Sequence, residues 1–175
     1  RSKRAFRDNV IEEGVIEKCA AYAAKEHGDA RRALELLRVS GELAERKNES
    51  KIIMKHIDEA EEKIDRDRII EAIHMQPKQF QVTMLSILTM STKTKNPIFT
   101  GEMYEVYKEY CSKSGLKPLT QRRVSDIIGE LDMLGIINAK VISKGRYGRT
   151  KEIKLAIPMS TAQELTQGLK DGLNL

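Results

Sequence analysis

No apolar run in this chain of 175 residues approaches the roughly 18 residues that a membrane-spanning helix needs, so no transmembrane segment and no membrane partner is expected. The opening R-S-K-R-A-F-R is basic, but no apolar core follows it, so no secretory signal is expected either. The chain begins without Met and in mid-pattern, which suggests a piece of a longer protein. There are only two cysteines, Cys19 and Cys111, far apart and outside any C-x-x-C spacing. That excludes a disulfide or zinc framework and fits a reducing cytoplasm. No G-x-x-x-x-G-K-[ST] occurs, so the chain has no P-loop of its own. His27, His56 and His74 are scattered without metal-ligand spacing, and neither cysteine has a histidine placed to activate it. The acidic run D-E-A-E-E at 58–62 reads as a solvated helix face rather than a catalytic pair. Nothing here predicts a catalytic residue or a metal.

Charge is what the chain has in abundance. It is 40% hydrophobic and 33% charged, with a net charge of +5. Residues 1–77 hold 16 Lys+Arg and 17 Asp+Glu, a net of −1, whereas residues 78–175 hold 15 and 9, a net of +6. The second half alone carries the excess, which suits either a polyanionic partner for that half or a merely basic, solvated surface, and charge alone leaves both open.

The first half has the periodicity of a small helical bundle. Val15, Ile16, Cys19, Ala20 and Ala23 recur at three-and-four spacing, and Gly28 stops that helix. Asp29 is placed to cap a second helix from Ala30 to about Lys47, with Ala33, Leu34, Leu37 and Ala44 as its apolar stripe. Ser50 is expected to cap a third helix through Ile53, Ile57, Ala60 and Ile64. A short fourth piece holds Ile69, Ile70 and Ile73 before Pro77. The domain boundary is expected between Asp65 and Lys78.

The second half changes character. A helix over Phe80–Met90 precedes a short strand at Pro97–Phe99. Thr100 caps the next helix, whose stripe is Met103, Val106, Tyr107 and Tyr110 and whose end is Gly115. Thr120 caps another, with Val124, Ile127, Ile128, Leu131 and Leu134 on one face and Gly135 closing it. Two strands follow, Ile136–Ser143 and Thr150–Ile157, and a polar helix over Thr161–Leu169 closes the chain. Helix, short strand, two helices and a basic hairpin is the order of a winged helix-turn-helix, so the fold class is mostly α.

Two places carry candidate chemistry. The hairpin loop S-K-G-R-Y-G-R-T-K at 143–151 sets Lys144, Arg146, Arg149 and Lys151 almost alternately, with Tyr147 between Gly145 and Gly148. A hairpin tip projects, so its charge points outward. Tyr147 either stacks on a sugar–phosphate edge or packs on its own strands. On the helix after Thr120, Arg122, Asp126, Gly129 and Met133 lie opposite Val124, flanked by Arg123 and Ser125. There Arg122 sits where recognition helices read bases, Gly129 leaves room for a groove wall, and Asp126 is spaced to pair with Arg122. In the first half, Arg31 and Arg32 add positive charge to a helix N-terminus. That asks either for an anion or for plain solvation and pairing with Glu35.

Two segments resemble a known family. G-D-A-R-R-A-L-E-L-L-R-V-S-G-E-L-A-E-R at 28–46 resembles the lid motif of the archaeal origin-recognition/cell-division-control initiators, which are AAA+ proteins. S-K-G-R-Y-G-R-T-K-E-I-K-L at 143–155 resembles the wing of their C-terminal winged-helix domain and is the more specific of the two. The likeness runs from about Ala5 to Pro158. It implies a lid at 1–75, an origin-binding winged helix at 78–160 and a C-terminal helix or tail at 161–175. It makes Arg31 the sensor-2 arginine, which reaches the phosphates of ATP or ADP, with Mg, in a longer parent. It puts the Thr120 helix (Thr120, Gln121, Arg122, Arg123, Ser125) in the major groove, and the wing (Lys144, Gly145, Arg146, Tyr147, Gly148, Arg149, Lys151) on the minor groove. The implied partners are double-stranded origin DNA, the MCM helicase and other initiator subunits, in the cytoplasm at the nucleoid. The family's nucleotide-binding core is expected before Arg1, so ATP hydrolysis is not expected of this chain and it needs no cofactor of its own. A protein-interaction winged helix, or a transcription regulator with a helical effector domain, are the alternatives.

Overall fold

The computed structural model describes Phe6 and residues 9–25, 29–94, 96–143, 145 and 149–175. The expectations for Gly28, Lys144, Arg146, Tyr147 and Gly148 therefore lie outside the described residues. The chain divides into two compact units, Arg1–Arg68 and Ile69–Leu175.

The first unit is helical. Helix α1 is Val15–Lys25, α2 is Ala30–Arg46, and α3 is Met54–His74, which runs on into the second unit's residues. Asp29 caps α2 as its sequence position demands, its Oδ1 accepting the Arg31 N–H at 2.8 Å. Val15, Cys19, Leu36, Leu37, Ile52, Ile57, Ala60 and Ile64 form the core. Burial raises the Cys19 thiol pKa to about 11, so this cysteine is a packing residue.

Three expectations are corrected here. Leu34 is 51% exposed, on the far side of α2 from Leu36, and the buried stripe instead includes Arg32, Leu36, Val39 and Ser40. Ser50 caps nothing. Helix α3 starts at Met54, where the Ile53 N–H donates to His56 Nδ1 at 3.2 Å, and it runs unbroken to His74. The charged stretch D-R-D-R does not interrupt it, since Lys63 and Asp67 pair across one turn at 2.8 Å.

A polar lock joins α1 to α3. Lys18 Nζ and the Tyr22 hydroxyl both donate to the Asp58 carboxylate at 2.8 Å. The Lys18 bond holds the Asp58 pKa below its ordinary 3.8, and the bond to Asp58 raises that of Tyr22 to about 12. The contribution of Tyr22 is thus full below pH 10 and is lost as pH rises from 10 to about 12. That of Asp58 is full above pH 3.8 and is lost as pH falls below it. Thermal midpoints measured against pH should show an alkaline decline that Tyr22→Phe shrinks. An identical decline in that variant would remove Tyr22 from the account.

The second unit is built around α4, Lys78–Lys93, in which every residue from Phe80 to Leu88 is buried. Strand β1 is Ile98–Phe99, α5 Thr100–Lys113, α6 Gln121–Met133, β2 Ile137–Ser143, β3 Arg149–Leu155 and α7 Met159–Leu173. The sheet is antiparallel in the order β1-β3-β2, with Ile98 opposite Ile153 and Ile137 opposite Leu155. Gly135, at φ 70°, ends α6 in the left-handed region.

Four boundaries differ from the sequence expectation. Thr100 does not cap α5, because its Oγ1 accepts the Lys151 N–H at 3.2 Å from β3. Leu134 is 50% exposed, past the last turn of α6 rather than on its buried face. Strand β3 ends at Leu155, short of Ile157. Helix α7 is longer than expected and is no tail: Ala162, Leu165, Leu169 and Leu173 are part of the core that surrounds α4.

Candidate nucleic-acid interface

Helix α6 is fixed from both ends. Thr120 Oγ1 accepts the Arg123 N–H at 3.3 Å, which caps the helix. The turn before it is clamped by side chains of α4 and α5. Tyr104 donates to the Leu119 carbonyl at 2.7 Å, Tyr107 accepts the Leu119 N–H at 3.0 Å, and Gln79 Nε2 donates to the Lys117 carbonyl at 2.9 Å. Tyr107, fully buried, also donates to Gln79 Oε1. At the far end Asp132 accepts the Ala139 N–H at 2.8 Å, which ties α6 to β2.

Charge on α6 is graded. Gln121, Arg122 and Arg123 are exposed in its first turn, whereas Asp126, Glu130 and Asp132 are exposed further along. Only the N-terminal turn suits a polyanion. The expected Arg122–Asp126 pair is not what forms. Asp126 Oδ2 lies 3.7 Å from Arg123 Nη1, three residues away. Arg122 has no ion-pair partner among the described residues.

The wing strands complete the site. In the β2–β3 ladder Ile137 faces Leu155, Ala139 faces Ile153, Val141 faces Lys151 and Ser143 faces Arg149. Cross-strand partners share a face, so one side of the hairpin is apolar at its base and cationic toward its tip. It joins the first turn of α6 in a cleft of about 400 Å³, lined by Thr100, Gln121, Arg122, Ser125, Val141, Arg149, Thr150 and Lys151. Three of these eight are cationic and none is acidic.

Five of the sequence-chosen residues thus meet in one cleft: Gln121, Arg122, Ser125, Arg149 and Lys151. Thr120 and Arg123 stand beside it, while Gly145 is described and exposed but does not line it. Two roles change. Lys151 does not point outward: its Nζ donates to the Ser125 carbonyl at 2.8 Å. Gly129 faces this lysine rather than an open groove, since a β-carbon there would sit 3.5 Å from Lys151 Nζ. Thr100, Val141 and Thr150 join the site without being among its sequence-chosen residues. Strand alternation and pairing bring Val141 in, but only tertiary packing brings Thr100.

In the first unit the paired arginines separate. Arg31 is exposed in the first turn of α2. Arg32 is buried, with Nη2 2.7 Å from Asp65 Oδ1 and Nη1 3.5 Å from Glu35 Oε2.

Element order, strand order and the two helices before the hairpin define a winged-helix module that follows a helical bundle. Residues 71–164 match the family described as CDC6, C-terminal winged helix domain, and residues 1–62 match the Cdc6 AAA+ ATPase-type lid domain. The chain belongs to the Cdc6 family and carries its lid and winged-helix parts. It is 57% identical to the ORC1-type DNA replication protein of Pyrococcus abyssi over 90% of its own length and 38% of that protein's. It is 50% identical to ORC1-type DNA replication protein 1 of Methanosarcina acetivorans over 94% of its length and 40% of that protein's. The chain thus spans about two fifths of the curated relatives it matches. Among solved structures, the Aeropyrum pernix ORC1 protein in complex with DNA is 44% identical, with a TM-score of 0.74, covering 95% of this chain and 42% of that one. No helix among the described residues is long and apolar enough to cross a membrane.

Proposed function

We propose that this chain binds double-stranded DNA at replication origins, as the DNA-reading part of an archaeal initiator that recruits or loads the MCM helicase. The cleft carries this reading: among the described residues, three cations and no carboxylate line a groove between a helix N-terminus and the strands of a hairpin. That is the geometry for a helix in the major groove and a wing on the adjacent backbone. The Aeropyrum relative solved with DNA supports it. Arg31, exposed where α2 begins, is the residue of this chain that would reach the phosphates of ATP or ADP with Mg in a longer parent. It would offset their negative charge. Other initiator subunits and a place at the nucleoid follow from the same reading.

The test is a titration of the 175-residue chain against duplex DNA over a salt series. With five or six phosphates neutralised by the cleft and wing cations, log affinity should fall against log salt with a slope of about −5, roughly 0.9 per phosphate. Arg31→Ala should leave this line unchanged. An affinity indifferent to salt rejects the DNA reading and favours a protein-docking winged helix. Co-precipitation of the helicase with the full-length parent tests the recruitment step.

A further inference from the structure

Lys151 stands in the cationic cleft, yet its ammonium is committed inside the protein. Nζ donates at 2.8 Å to the carbonyl of Ser125, in the middle of α6. It reaches that carbonyl across the one position of the helix face that lacks a side chain, Gly129, whose β-carbon would lie 3.5 Å from it. The other end of the residue is held too, since its N–H donates to Thr100 Oγ1 at the start of α5. The Ser125 carbonyl already serves the helix ladder, and its second lone pair takes a charge-assisted bond. A lysine stem is flexible when free, but here both ends are fixed.

We propose that Lys151 is a positioning residue, a strut that sets the spacing between β3 of the wing and α6. Arg149 on the wing and Arg122 on the helix then meet a duplex as one pre-set pair. The proposal rests on the duplex-DNA reading of the cleft. Its physical content is preorganisation: two contacts already at the right separation do not have to be ordered upon binding. A phosphate anchor at Lys151 is the competing account, and salt separates the two. An anchor contributes about 0.9 to the slope of log affinity against log salt, whereas a strut contributes nothing.

Four variants of the full chain decide it, each checked for cooperative thermal unfolding. Lys151→Met removes the charge but keeps the stem. Gly129→Leu keeps the charge but blocks its path. Gly129→Ala adds only an ordinary van der Waals contact, and Arg149→Ala serves as the reference anchor. Lys151→Met and Gly129→Leu should each lose about tenfold in affinity for a duplex selected from a random library, the size expected from one charge-assisted bond. Their salt slope should stay that of the parent chain. Gly129→Ala should bind like the parent, and Arg149→Ala should flatten the slope by about 0.9. Without DNA, the β3 amides should exchange faster in Lys151→Met and Gly129→Leu, and not in Arg149→Ala. A slope flattened in Lys151→Met as in Arg149→Ala makes Lys151 an anchor and overturns the strut. Unchanged exchange in β3 overturns it as well. If the parent chain binds no duplex, the DNA reading is lost, and the exchange measurement alone decides whether the strut stands.

Discussion

Arg122→Ala should cost the chain most of its preference for a selected duplex over a scrambled one, and much less of its grip on random DNA. Arg122 is exposed in the first turn of α6 and lines the cleft with Arg149. The carboxylate spaced to pair with it, Asp126, lies instead 3.7 Å from Arg123. An unencumbered guanidinium in that turn is placed for a bidentate guanine contact, worth about 1–3 kcal/mol of discrimination, or roughly 5- to 150-fold. Arg149, on the wing, meets phosphate or a narrow minor groove, where sequence is read weakly. Titrations of both alanine variants against the two duplexes at two salt concentrations check this. If Arg122→Ala lowers both affinities equally while Arg149→Ala abolishes the preference, reader and anchor are exchanged.

A comparably large effect is expected in α7, on stability rather than on binding. Leu165 is fully buried in the core around α4. Leu165→Ala should destabilise the second unit by about 2–5 kcal/mol, through lost transfer energy plus the cavity left behind. Gln163→Ala, on the exposed side of the same helix, should stay within about 0.5 kcal/mol. Denaturant unfolding followed on the two variants gives the comparison. A Leu165→Ala change as small as that of Gln163→Ala would return α7 to the status of an appended tail.

What could be foreseen from the sequence is what local chemistry decides. Asp29 and Thr120 cap the helices they precede because each offers a short acceptor to an N–H two or three residues on. Gly135 closes α6 because its φ of 70° suits few other residues. Exposure of Arg122 follows from the helical period alone. What escaped depends on long-range partners. Arg31 and Arg32 look alike in sequence, and it is Asp65, from another helix, that takes one of them. Thr100 has the chemistry of a cap, but the Lys151 N–H, 51 residues away, claims its hydroxyl. Lys151 reads as one more wing cation until the register opposite Val141 and the gap at Gly129 turn it inward. Helix α7 reads as polar because its buried face, Thr161, Ala162, Leu165, Leu169 and Leu173, is a narrow stripe interleaved with exposed Gln163, Glu164 and Gln167.

The ladder between β2 and β3 also governs what an inserted residue does to such a wing. Its phase is set at the base, where buried Ile137 pairs with Leu155, which packs against the core. Lengthening the chain between Ser143 and Arg149 leaves that phase intact and changes only how far the tip reaches. One residue inserted between Glu152 and Ile153 does something else. Every side chain outward of it changes face. Glu152 would then turn toward the Ser125 carbonyl in place of Lys151, and Thr150 would replace Arg149. The cleft would acquire a carboxylate, and the cations would move to the opposite side of the hairpin. Added length is therefore absorbed in one place here, the reach of the wing, whereas a single residue added within β3 redirects the charge that the strands carry.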